Sequence, residues 1–368
     1  MLPRFAIDAL AEDAVFHGRL IRTVLRRGDA ALLTPGLLPF LSLFVVESHG
    51  RLCEALPGFR VEPAGALELI RPARHRTKLL LSSSHQLNEI IAGYGAIARA
   101  EREYFHGLHS GLLAPLKRLV QPDLGICRLD GHVISTTHAT RFMSGLESRD
   151  PTSFRDAGLV VSSYCSALLS TFKVKVELTP FPAQSLPRIE QVDIKSGALY
   201  RRGAFGALPE EWSAVLTMIL ANLNFVHRVV GALVPADAGT LLKLRTLQAF
   251  NSVHSVRRIQ DQLRGSNGLP AGAASLLARA LSAPEAKWLR KRDDLRDTLT
   301  HFKPRKIKGA EAEMSYHEAI EVFSGMTMSQ LATSVNALIV HLTATLTEGF
   351  ELEAGTFWYG RLPIEEAG

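Results

Sequence analysis

Cysteine is scarce in this chain. Three residues among 368, Cys53, Cys127 and Cys165, are odd in number, widely spaced and without a Cys-x-x-Cys pair. That pattern argues against a disulfide framework and against a cysteine zinc site, and it fits a reducing cytosol. Long hydrophobic runs are also missing. The longest, from Leu37 to Val46, contains Pro39 and reaches about half of the roughly 20 residues that a spanning helix needs, so it reads as core and no membrane partner is expected. The first residues, Met1 to Asp8, carry an early acid and no apolar h-region, so the expectation is no secretory signal. Internal repeats and low-complexity tracts are absent. Gly93-x-Gly95 lacks the strand and turn of a dinucleotide fingerprint, and Ser162, Ser163 and Cys165 have no local base to make a nucleophile.

What is present is an ordinary globular composition, 46% hydrophobic and 21% charged, able to bury a sizeable core. A formal charge of +6 leans only weakly toward anionic partners. The length favours about two domains. A change of texture places the boundary near residue 205, giving an N-terminal unit 1–205 of unassigned role and a C-terminal unit 206–368. Helical patterning covers residues 5–27, 78–120 and 151–172, while 121–150 resists assignment. Lys173 to Leu178 and Gln191 to Lys195 alternate polar and apolar residues, which predicts a small hairpin or extended connector within 173–205. Beyond Pro209-Glu210-Glu211 the pattern is firmly helical, over about 209–234, 238–264, 272–281, 284–302 and 315–349. The fold class expected is mainly α, with an antiparallel helical bundle in the C-terminal half and a helical N-terminal half.

Within that bundle the sequence Arg296-Asp297-Thr298-Leu299-Thr300-His301 sets an arginine and a histidine five positions apart, with a polar residue after the arginine. Imidazole can move a proton near neutral pH, and guanidinium can stabilise charge on a phosphorus-bound oxygen without losing its own proton. Together they can act on a phosphodiester without a metal. Trp288, Leu295, Leu299 and Phe302 form a stripe that should bury against the bundle. Asp297 and His301, four apart, are within reach of one another. Five residues turn a helix through about 140°, so Arg296 and His301 do not share a face unless the terminus distorts or a second chain supplies one of them. Pro304 sets the helix end near Phe302.

A helical bundle carrying these residues resembles the HEPN superfamily (higher eukaryotes and prokaryotes nucleotide-binding), over about residues 208–350. The resemblance implies a homodimer whose two motifs form one cleft and, in active members, a metal-independent endoribonuclease with no cofactor, often in toxin or phage-defence roles. By that resemblance Arg296 stabilises the phosphorane charge, His301 is acid or base, and Asp297 is the polar position. Arg292 and the run Lys303, Arg305, Lys306 and Lys308 are the residues expected to hold an RNA backbone. The competing reading is a non-catalytic interaction or dimerisation module, in which Arg296 pairs with Asp293 and His301 caps the last carbonyls. The N-terminal half would then serve substrate selection, regulation or contact with a protein partner.

Other clusters are weaker. His106-x-x-His109 lacks a completing ligand at suitable spacing, so no metal is expected. Arg71, Arg74, His75, Arg76 and Lys78 read as a basic surface. Asn251 and His254 can point toward a cleft or lie on an ordinary helix face.

Overall fold

The computed structural model describes residues 2–352 apart from 3, 61–65, 80–83, 109, 112, 146–150, 183–185, 266–267 and 303–313. The chain is mainly helical. The N-terminal half begins with α1 (Arg4–Leu25) and α2 (Ala30–Ala55), followed by α3 (Arg71–Leu79), α4 (Ser84–Gly107) and α5 (Ala114–Val120). The unassigned stretch 121–150 then supplies β1 (Leu124–Leu129), β2 (His132–Thr136) and α6 (Thr137–Ser144), and α7 (Pro151–Thr171) follows. β1 and β2 are an antiparallel hairpin whose two-residue turn, Asp130-Gly131, has φ of 50° and 80°. Both positive angles suit the type I′ turn, in which the second position favours glycine because no Cβ opposes it. Thr136 closes β2 and caps α6, its hydroxyl accepting from the Ala139 N–H at 3.1 Å.

The alternation at 173–178 forms no strand. β3 (Glu190–Ile194) does, and it pairs antiparallel with β1 to give the sheet order β2-β1-β3. The connector between α7 and β3 instead anchors through buried Leu178 and Phe181 on α1, where Arg22 donates to the Leu178 carbonyl at 2.9 Å. After α8 (Ser196–Tyr200), the bundle proper comprises α9 (Glu210–Asn224), a π-helical segment Phe225–Val230, α10 (Gly231–Leu233), α11 (Gly239–Gly265), α12 (Ala271–Ser282), α13 (Pro284–Leu289), α14 (Asp293–His301), α15 (Tyr316–Ser324) and α16 (Met328–Gly349). α9, α11, α12 and α16 pack on one another. The expected last helix is two: Gly325 at φ 68° ends α15, and Ser315/Glu318 and Thr327/Gln330 form a capping box at each start.

The halves share one apolar core running from Leu2 to Leu352. α1 touches α11 and α15, and α2 touches α14. By length and composition α2 and Glu210–Leu233 could cross a membrane, yet 67% and 78% of their apolar windows lie buried inside the fold. Buried polar residues join the halves. Asp13 of α1 accepts from Thr240 at 3.0 Å and pairs with Lys243 of α11, whose ammonium lies 4.2 Å from the Phe302 ring centroid.

His17 sits in this core between Phe16 and Phe44, with its Nδ1 unpartnered. Burial, helped by the Lys243 charge, pulls its pKa from 6.5 down to about 3. The folded value lies below the unfolded one, so the stability this histidine confers is complete above pH 6.5 and drains away as pH falls toward 3. The expected slope is about 1.4 kcal/mol per pH unit for this one proton. Urea midpoints at pH 7 and pH 5 should show it, and His17→Leu should flatten the curve. An unchanged slope in that variant would place the linkage elsewhere.

Candidate functional site

The motif helix is interrupted. α13 closes at Leu289, a turn follows, and α14 restarts with Asp293 and Asp294 in its first turn, where carboxylates suit the helix dipole. Leu295, Leu299 and Phe302 are buried as the stripe requires, while Trp288 is only partly buried and carries Arg292 at 5.4 Å from its ring. α14 ends at His301 because Phe302 adopts the left-handed conformation, φ 52°. A phenylalanine there is strained, and its burial beneath Lys243 holds it in place.

α14 lies between α2 and α11, and its two signature side chains go to different neighbours. Arg296 bonds the adjacent Asp297, its Nε donating at 2.8 Å, stands 3.9 Å from Asp293, and lies 5.4 Å from the Phe250 ring of α11. His254 stacks on the same Phe250 at 4.2 Å. Burial, then the Arg258 charge, lowers the His254 pKa to about 4. Asn251 is buried with its Oδ1 unpartnered.

His301 turns to α2. Its Nδ1 and the Glu47 Oε2 are 2.7 Å apart; a carboxylate only accepts, so Nδ1 donates and Nε2 is left for proton transfer. Glu47 is fixed in turn by Arg74 of α3, whose Nε donates to Oε1 at 2.7 Å. Burial alone would raise the Glu47 carboxyl, but the bonds from His301 and Arg74 outweigh it and hold the pKa below the usual value. The His301 side chain is 45% exposed, so the oriented imidazole remains open to a ligand. It lines a cleft of about 400 Å³ with Asp297 of α14 and with Glu47, Gly50, Arg51 and Glu54 of α2.

The cleft therefore unites His301 and Asp297. Arg296 reaches its edge only through Asp297. Arg292 is partly buried with its Nε unpartnered, and Lys303, Arg305, Lys306 and Lys308 lie outside the described residues. His109 also lies outside them, and no group of three metal-ligating side chains gathers among those described. Arg74, read from sequence as surface, is buried on Glu47. Glu47 was not singled out at all. Its one signal is a lone carboxylate ending the apolar run of α2, where an unpaired charge is costly. Compared with protein-family models, curated proteins and solved structures, the chain has no match.

Proposed function

We propose that the protein binds RNA and cleaves its phosphodiesters without a metal, with His301 as the proton-transfer group. The observation that carries this reading is the half-exposed His301 imidazole oriented by the Glu47 carboxylate at 2.7 Å in an open cleft. Three carboxylates line that cleft against one guanidinium, Arg51, so a phosphate bound there needs another cation. Arg296 can supply it by leaving Asp297, or an arginine of a second copy can, and a homodimer is thus part of the proposal. A cytoplasmic setting and a toxin or defence role belong to the same proposal.

The test is digestion of total RNA by the purified protein in excess chelator. Cleavage leaving a 2′,3′-cyclic phosphate is expected, because the attacking group is the RNA's own 2′-hydroxyl. Activity per protomer should rise with protein concentration through the dimerisation range. Failure to cleave any RNA as a dimer would favour a second reading, a helical interaction module. That reading has its own support: Arg296, bonded to Asp297 and set over Phe250, also fastens α14 to α11.

A further inference from the structure

Away from the cleft, the π-helical segment Phe225–Val230 carries His227 and Arg228. A π turn inserts an extra residue into the helical ladder and redirects its side chains, a device concentrated at functional sites. Two further basic residues stand beside it: Arg245 of α11, and His132, the first residue of β2. Arg245 Nη2 donates to the His227 carbonyl at 3.3 Å. Gly231, just after the π turn, makes that approach feasible, since a Cβ there would lie 2.5 Å from the same nitrogen.

These four side chains are partly buried, and three of their nitrogens are left without partners: His227 Nδ1, Arg228 Nε and Arg245 Nε. Among the described residues neither guanidinium has a carboxylate within ion-pair distance; exposed Asp130 acts on Arg228 from farther away, and burial lowers Arg245. Burial, and then Arg245, Arg228 and His132 in that order, pull the His227 pKa down to about 4. Burial, followed by Arg228, likewise lowers His132. Like charges in a half-buried setting repel, and partly desolvated cations without a counter-charge are costly. Of the four, His132 also lines a neighbouring cleft of about 180 Å³ with Asp130, Leu220, Thr347 and Leu352.

We propose that Arg228, Arg245, His227 and His132 form a binding site for the phosphate group of a small anionic ligand. Two planar guanidinium groups match tetrahedral oxyanions through paired N–H donors, and both imidazoles can add a donor once an anion is present. Free pyrophosphate and the terminal phosphates of a nucleotide offer the same chemistry. The site is separate from the His301 cleft and does not rest on the RNA reading.

Calorimetric titration of the full chain, in a phosphate-free buffer of constant ionic strength, decides the matter with pyrophosphate and with a nucleoside diphosphate as probes. Saturable binding of either is expected. A stronger affinity for the diphosphate assigns a nucleotide, and equal affinities assign the phosphate group alone. Arg228→Gln and Arg245→Gln should each weaken binding about tenfold or more. Gly231→Ala should also weaken it, by crowding the Arg245 guanidinium while keeping every charge. Without ligand the two glutamine variants should melt at or above the wild-type temperature, since an unbalanced charge has gone. Absence of binding by both probes, or affinities unchanged in all three variants, overturns the proposal. So does a lowered melting temperature in both glutamine variants with binding retained, which would mark the arginines as structural.

Discussion

His301→Ala is expected to slow RNA cleavage by about 10² to 10⁴, the usual contribution of a positioned acid–base group. The structure adds a graded companion. Glu47→Gln keeps an acceptor oxygen near Nδ1 but removes the carboxylate that holds the ring and fixes its tautomer. It should lower the rate less than His301→Ala, because the ring keeps an acceptor for its Nδ1–H and loses only the charged partner that orients it. Arg296→Lys should also impair cleavage, since lysine loses the planar fork. If it acts through Asp297 instead, the same variant should loosen α14 without changing the pH profile. Undiminished cleavage by purified His301→Ala would place any nuclease activity elsewhere.

The second large effect concerns stability. Lys243→Met leaves Asp13 fully buried with only Thr240 to bond it, and breaking a buried pair from one side costs about 3–5 kcal/mol. The ammonium also lies over Phe302, so its loss should release the strained left-handed end of α14. Urea midpoints measure the cost. Asp13→Asn combined with Lys243→Met should recover much of it, because no uncompensated charge then remains inside. A double variant as unstable as Lys243→Met alone would show that packing of the lysine stem, rather than charge, holds the halves together.

The helical architecture was legible because it rests on local signals. The apolar stripes of α11 and α16, the acids opening α9 and the prolines and glycines ending helices all lie within a few turns of the residues they govern. The hairpin was not read: Asp130-Gly131 is a turn signal, but the Gly, Thr, Ser and His around it left 121–150 unassigned. Alternation at 173–178 misled because a strand exists only where another offers a ladder; β1 pairs with Glu190–Ile194 instead. The breaks within the motif helix and the last helix fall where periodicity carries straight across a turn. At the site, the motif residues could be read in order, whereas their partners could not. Glu47 is 254 positions from His301, and the choice of Glu47 as imidazole partner depends on how α2 meets α14. The π turn has no sequence signature, so the gathering of His227, Arg228 and Arg245 was equally hidden.

Glu47, Arg74 and His301 also depend on one another. A neutral residue at position 47 strands the buried guanidinium of Arg74 and frees the ring of His301, while losing Arg74 strands the carboxylate. Relatives of this chain should therefore exchange the three together, whatever happens elsewhere in α3. A relative that keeps arginine and histidine in α14 but lacks the acid of α2 would hold its imidazole by some other contact.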